Sequence, residues 1–386
     1  MKNHTLMILG HDISEPILDP RVYKEARSLI KIGVSVSILC FSTRNEKLEL
    51  NGISIIRIKR LFNAKKIFKS NRLIATLALL LDIPITFIRS IPRAFSIPAN
   101  SYHCHDLDTL PLGVFLKIAK PSKTLIYDTH ELAVGLPLPG LLLFLMRITE
   151  MFSLPFVNIL ITANQSRLNY MQKIYSRQLR NKSSYVIENF PSCSQRPPEQ
   201  QKDMKHKNEP VVFIYQGPLD RNRGIDNVLG AFVNLKRSDW LLYVVGGKPA
   251  DVENYQNTYQ NKNIIFTGFI PSAEVFDYMN KSDIGLVALK NTCLNNYYAA
   301  PNKLYEYLQC GCAVLVPDFE EIGRFVEVKQ IGYKTSYDDP VKFQATVEKI
   351  LADGVSSIAR LKQRAHSISN QYEWEQNENV LQKIYL

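Results

Sequence analysis

Asn302, Lys303 and Glu306 fall within a few residues of one another in the stretch PNKLYEYLQCGCAVLVPD, Pro301 to Asp318. Residues three and four apart share a face of a helix. A helix start presents free N–H groups and a partial positive charge. An amide and a lysine at that start, with a carboxylate one turn deeper, suit an anion site. The same trio also reads as a surface Lys–Glu pair worth about 0.2–0.5 kcal/mol. Other clusters are as loaded: His103, His105, Asp106 and Asp108 in YHCHDLD, Asp128, His130 and Glu131 in IYDTHEL, Gly217, Arg221 and Arg223 in YQGPLDRNRGI, and Gly268 to Pro271 in FTGFIP. Paired His and carboxylate groups suit acid–base work, and they are also the donor types of a metal site, although no completed ligand set is evident. Alternation places His103 and His105 on one strand face. Two carboxylates flanking a bond would suit a glycosidase. The Gly217 loop lacks the GxGxxG and Walker patterns.

The elements that must carry these groups alternate. Strands are expected at Leu6–Leu9 and Val34–Phe41, then ending at His103–His105, Tyr127–Asp128, Leu160–Ile161 and Val186–Ile187, with helical patterns between them. After the polar stretch Ser192 to Pro210, strands recur at Val211–Tyr215, Leu241–Val245, Ile264–Phe266, Ile284–Val287 and Ala313–Val316. Residues 301–310 read as a short helix stopped by Gly311. Strand–helix alternation on both sides of one polar linker predicts an α/β chain of two Rossmann-like, doubly wound domains. In such sheets ligands sit beyond the carboxyl ends of the strands, where each of these clusters falls.

The chain of 386 residues is 46% hydrophobic, with 47 basic and 36 acidic side chains and a formal net charge of +11. That excess suggests an anionic partner such as a nucleotide phosphate, acidic lipid or nucleic acid, but no nucleic-acid recognition motif is present. Six cysteines without CxxC pairing suggest reduced thiols rather than zinc or disulfides. The apolar run at the N-terminus is too short for a signal peptide. Two apolar stretches approach the length of a membrane span: Leu73 to Ile91, interrupted by Asp82 and Pro84, and Leu136 to Ile161, carrying Arg147, Glu150 and Pro155. Ahead of the first lies a basic run of Arg57, Lys59, Arg60, Lys65, Lys66, Lys69 and Arg72. This run suits an anionic membrane surface, and it equally reads as a solvated face beside a core helix.

The ordered set of motifs resembles the family 4 glycosyltransferases of the GT-B fold, over nearly the whole chain. DPRVYKEARSLIKIGVSVSIL is similar to that family's first helix and second strand. YHCHDLDTLP followed by LIYDTHEL resembles a bacterial surface-polysaccharide subgroup. YQGPLDRNRGIDNVLGAF, GFIPSAEVFDYMNKSDIGLVAL, PNKLYEYLQCGCAVLVPD and YEWEQNENVLQKIY complete the set. The resemblance implies an N-terminal acceptor-binding domain at 1–195, a C-terminal donor-binding domain at 208–371, a central cleft between them, and a closing helix at 372–386 that packs back on the first domain. It implies that Glu306 holds the ribose hydroxyls and that amides near Asn302 and Lys303 face the diphosphate in the Gly217 loop. Ile270 would read the base, Arg223 would neutralise the leaving group, and His130 would approach the transferred sugar. Arg21, His105 and Asp106 would line the acceptor side. Two positions depart from the family's pattern. Tyr298 stands where a second glutamate is common, and Pro218 where arginine is common.

The implied activity is transfer from a nucleotide diphosphate sugar to a glycan or lipid-linked glycan, with retention, in cell-surface polysaccharide biosynthesis. No cofactor and no metal are expected. The expected setting is cytoplasmic, against the inner face of the plasma membrane. The alternatives are a nucleotide-sugar epimerase or phosphorylase of the same fold, and a non-catalytic sugar or membrane adaptor.

Overall fold

Apolar strands that bury both faces and amphipathic helices that bury one assemble, in a computed structural model, into two sheets. The structure describes residues 3–14, 18–61, 72–195 and 209–386, without the side chains of residues 72–81, 83, 84 and 195. The chain divides into two units, Met1–Ile187 with Asn377–Leu386, and Glu188–Gln376. The chain has the α/β class and the two doubly wound domains that the alternation predicts.

In the first unit the strands are β1 (His4–Leu9), β2 (Ser35–Ser42), β3 (Glu46–Leu50), β4 (Ile53–Lys59), β5 (Ser101–His105), β6 (Thr124–Thr129), β7 (Ile159–Thr162) and β8 (Ser183–Val186), in the order β3-β4-β2-β1-β5-β6-β7-β8. All neighbours are parallel except β3 and β4. That pair is a hairpin turning at Asn51-Gly52, both with positive φ (50° and 80°), as a two-residue loop matched to strand twist requires. The second unit holds β9 (Val211–Gln216), β10 (Trp240–Val245), β11 (Ile264–Gly268), β12 (Ile284–Leu286), β13 (Ala313–Pro317) and β14 (Gly332–Thr335), in the parallel order β11-β10-β9-β12-β13-β14. In each sheet the strand order reverses beside the first strand. This is the point where such sheets open to ligands.

Several expectations change. The helix Asn302–Gln309 begins after Pro301, which stands as its N-cap with no side-chain capping bond. Gly311 has φ +63°, the left-handed stop expected there. The helix Arg72–Ser96 runs through Asp82 and residue 84 without interruption. Asp82 is buried and accepts from the Leu61 amide (2.7 Å) and the Thr86 hydroxyl (3.3 Å). No helix among the described residues is long and apolar enough to cross a membrane.

The division between the units falls at Ile187/Glu188, not within Ser192–Pro210. Ser192 Oγ and the Cys193 amide donate to Glu375 (2.6 and 3.1 Å), and the Trp374 amide donates to Pro191 (2.8 Å). Those residues are thereby tied to the second unit. Residues 196–208 of the polar stretch lie outside the described residues. The returning segment is Asn377–Leu386, shorter than the expected 372–386. Its Tyr385 hydroxyl bonds His103 Nδ1 (2.8 Å), its Tyr385 carbonyl accepts from Asn3 (2.8 Å), and its Glu378 pairs with Lys31 (2.6 Å).

The helix Asn302–Gln309 is seated on β12 by a close approach. A Cβ at Gly285 would lie 2.3 Å from the Tyr307 ring, and the Tyr307 hydroxyl reaches the Ile214 carbonyl (3.3 Å). Gly285→Ala is therefore expected to lift this helix and to cost about 1–3 kcal/mol, the scale of overpacking a core. A lowered melting temperature checks it, and an unchanged one would show that the ring has room to move.

Candidate functional site

In the second unit, chemistry gathers where β9, β10 and β11 end. Gly217 leaves β9 with φ +134°, and a Cβ on Gly246, at the end of β10, would stand 2.6 Å from the Gly217 carbonyl oxygen. Only glycine lets the two backbones pass so closely. The Gly217 amide donates to Val245 and the Gly246 amide to Gly268, each at 2.9 Å. The floor is therefore backbone.

The helix Asn302–Gln309 faces this floor. Glu306 accepts from Gln216 Nε2 at 2.8 Å. The Gln216 amide oxygen is buried and has no hydrogen-bond partner among the described residues. An open amide acceptor beside a carboxylate suits a vicinal diol, since both groups accept from hydroxyls. Lys303 is 9% exposed. Its Nζ donates to the Gln216 carbonyl (2.7 Å) and lies 5.2 Å over the Tyr215 ring. Burial first, then the neighbouring charge of Arg223, push this ammonium down to about 7 despite the pull of Glu306. Half-buried Arg223 ends a short turn whose Asp220 side chain accepts from the Asn222 amide (2.9 Å) and which closes at Gly224, φ +87°. Lys290, which the sequence reading passed over, lies against Gly224; a Cβ there would be 3.5 Å from its Cε. Asn302 and Phe269 are exposed and Ile270 is half-buried. Pro218 accepts from the Tyr215 hydroxyl (2.6 Å), and the Tyr298 ring packs edge-on to Tyr297 at 5.1 Å.

An anion arriving at this floor would be met by a lysine that is half neutral near pH 7. Binding would restore its charge by taking up a proton. The sign follows: above about pH 7 the free protein has lost the proton that the complex needs. Affinity for an anion at this floor, read with a nucleoside diphosphate as probe, is therefore expected to fall by up to about tenfold per pH unit above pH 7. Titration calorimetry in buffers of different ionisation enthalpy checks this. A flat profile, or the same slope in Lys303→Met, would remove Lys303 from the anion site.

In the first unit, a second cluster lies where β5 and β6 end. Asp128 is fully buried and both its oxygens accept from Arg21 Nη2 (2.9 and 2.8 Å). Arg21 also donates to the Ile187 carbonyl (2.7 Å) and pairs with Glu25 (3.2 Å). His130 Nε2 lies 3.3 Å from Asp128 and 3.0 Å from His105 Nδ1. Its Nδ1 lies 3.6 Å from Asp106. Asp106 has φ +63° and accepts from the His130 amide (2.9 Å). The rings of His103 and His105 stack at 4.2 Å, as their alternation predicts. Burial opposes charge on His130, but Asp128 and Asp106 outweigh it and hold the imidazolium up at about 9. Burial and the charges of His103 and His130 hold His105 well below its usual value, so it stays neutral. Arg21 and His105 are 4% and 2% exposed, and His130 keeps 16% of its side chain exposed. Of the residues expected here, His130 and Asp106 face outward, while Arg21 and His105 act through them. Glu25 was not foreseen, although its i,i+4 spacing from Arg21 was a signal. Glu25, His103, His105 and Asp128 bring four donor atoms within 4.8 Å of one another. Arg21, however, bonds Asp128 and lies 3.2 Å from Glu25, and so supplies positive charge where a metal would bring it.

Residues 210–353 match the family described as Glycosyl transferases group 1. A stretch of 141 residues, 36% of the chain, is 27% identical to the putative teichuronic acid biosynthesis glycosyltransferase TuaH of Bacillus subtilis (strain 168) and spans 34% of that protein's length. Among solved structures, sucrose-phosphate synthase from Thermosynechococcus elongatus is similar over 100% of this chain and 98% of its own, at 15% identity and a TM-score of 0.72. HepE of Anabaena, in complex with UDP, is similar over 99% of each chain, at 11% identity and a TM-score of 0.65. The fold is GT-B.

Proposed function

We propose that this chain, which carries a Glycosyl transferases group 1 domain at residues 210–353, transfers a sugar from a nucleoside diphosphate donor to a glycan or lipid-linked glycan. The observation that carries the reading is the joining of Glu306, Lys303 and Gln216 at the end of β9. Glu306, held by Gln216 Nε2, accepts the ribose hydroxyls. Lys303, Arg223 and the uncapped start of the helix Asn302–Gln309 take the diphosphate. Charge on the leaving group rises as the glycosidic bond breaks, and fixed cations stabilise it most at that moment. These groups supply that charge without a metal. In the first unit, imidazolium His130, held by Asp128 and Asp106, donates to a sugar hydroxyl. Retention, a role in surface-polysaccharide assembly, and work at the inner face of the plasma membrane complete the proposal.

Ligands that bind only the folded state raise the melting temperature. Nucleoside diphosphates and their sugars are expected to stabilise the wild type and not Glu306→Ala. Slow release of free sugar from the matching donor is expected as well. A changed sugar with donor alone would assign an epimerase, and binding without any release would assign an adaptor.

A further inference from the structure

We propose that the outer face of the helices Arg72–Ser96, Leu110–Ala119 and Gly140–Ser153 is a docking surface for an anionic lipid bilayer. A helix of a water-soluble protein ordinarily buries its apolar stripe. Gly140–Ser153 does the reverse. It buries Glu150, its one acid, which accepts from the hydroxyls of Tyr127 and Tyr175 (2.7 Å each), and it leaves Leu141, Phe144 and Phe152 73%, 58% and 66% exposed. The neighbouring helices continue the pattern with Ile118 at 57% and Ile88 at 63%. Exposed apolar area of this extent marks an interaction surface.

The charge around it selects the partner. From Ile85 to Ile187 the sequence has eleven Lys and Arg but five Asp and Glu. Asp128 and Glu150 are fully buried, and Asp106, Asp108 and Glu131 follow β5 and β6 at the other cluster. No carboxylate is left on the outer face of these helices. Beside Phe156, a recess of about 700 Å³ is lined by Pro155, Arg177, Arg180 and Lys182 together with two amide side chains. This is a setting for phosphate headgroups. A second copy of the chain would bring the same cations face to face across a two-fold axis, whereas an anionic bilayer neutralises them. A helix of 14 residues is about 21 Å long, short of the roughly 30 Å of a hydrocarbon core, so it lies in the interface rather than across it. The surface differs from the basic run read in the sequence. Arg57 of that run is buried against Asp12 and Glu46, and Arg60 donates to the Gly10 carbonyl. Lys65, Lys66 and Lys69, and the Arg72 side chain, lie outside the described residues.

The proposal rests on the transferase reading only for its purpose, bringing the enzyme to a lipid-linked acceptor; binding itself is independent of it. The test is co-sedimentation of the full chain with vesicles of phosphatidylcholine alone or with one third phosphatidylglycerol, at low and high salt. The wild type is expected to pellet about tenfold more with the anionic vesicles at low salt, and to be released by salt as surface charges are screened. Leu141→Ser/Phe144→Ser/Phe152→Ser is expected to stay in the supernatant. Arg177→Gln/Arg180→Gln/Lys182→Gln is expected to lose the preference for phosphatidylglycerol. Five of the six positions are exposed and Lys182 is half-buried with its Nζ on the Pro155 carbonyl (2.8 Å), and a melting temperature close to that of the wild type reports intact folding of each variant. The proposal falls if the wild type ignores both vesicle types, or if the serine variant pellets like the wild type. It falls too if velocity sedimentation without lipid shows a dimer that the serine variant abolishes.

Discussion

Glu306→Ala is expected to lower kcat/KM for the donor by about 30- to 1,000-fold, the equivalent of roughly 2–4 kcal/mol, the scale of losing a charged hydrogen-bond partner in a desolvated site. Glu306 stands in no ion pair among the described residues, and its side chain accepts from Gln216 Nε2 at 2.8 Å. It is half-buried on a helix whose neighbours Leu304, Tyr307 and Leu308 are fully buried. The fold therefore does not depend on it, and the melting temperature without ligand should stay close to that of the wild type. The loss should appear chiefly as a higher donor KM, since ribose hydroxyls are held equally before and during transfer. Glu306→Gln, which accepts through one oxygen only, should fall between the two. Wild-type donor kinetics in Glu306→Ala would remove the ribose assignment, and with it the reason for placing a nucleotide at β9.

The second large effect is on stability. Arg21→Met is expected to cost about 3–5 kcal/mol, because it leaves the buried Asp128 carboxylate without its cation. For a unit of this size that is a fall of roughly 6–20 °C in its melting temperature. Arg21 is bonded to Asp128, Glu25 and the Ile187 carbonyl, so no water can take its place cheaply. Burial and the Asp128 charge already push Glu25 up to about 8. Glu25 is therefore protonated in the folded protein between its ordinary value and about 8, and the stability this brings is lost as pH rises through about 8. Adding Asp128→Asn to Arg21→Met should recover much of the loss, since the charge that needed pairing is gone. A single variant that melts like the wild type would mean that the cluster is not held by charge.

Much of this was legible in the sequence because it is local. Strand ends follow from apolar runs, and His103 and His105 share a face because alternation has a period of two. Gly311 stops a helix because of its own backbone freedom. The hairpin at Asn51-Gly52 was equally local and was passed over, although the dipeptide is a strong turn signal. What the sequence hides is which partner a charge finds. Arg57 reads as one of seven cations in a basic run, yet it is buried against Asp12 and Glu46. Arg21 reads as an acceptor contact, yet it spends its donors on Asp128, 107 residues away, and supports His130 from beneath. Lys303 turns back to the Gln216 carbonyl, on a helix whose Tyr307 ring settles against Gly285 of β12. Burial of a charge is decided by long-range pairing, and no spacing rule reports it.

The return of Asn377–Leu386 to the first unit sets an order of events during synthesis. Leu381 and Tyr385 are buried there, and Tyr385 completes the bonding of His103. These residues leave the ribosome only after the whole of Glu188–Gln376, about 190 residues that take roughly 10–40 s at bacterial rates of synthesis. Throughout that interval the nascent N-terminal half lacks its last helix and bares an apolar underside, which makes it a client for chaperones. Yield would then be governed by timing rather than by final stability. Asn3 bonds the Tyr385 carbonyl, so the two chain ends of this unit are neighbours. A circular permutant that places residues 377–386 ahead of residue 3 would let the unit close as soon as Ile187 emerges.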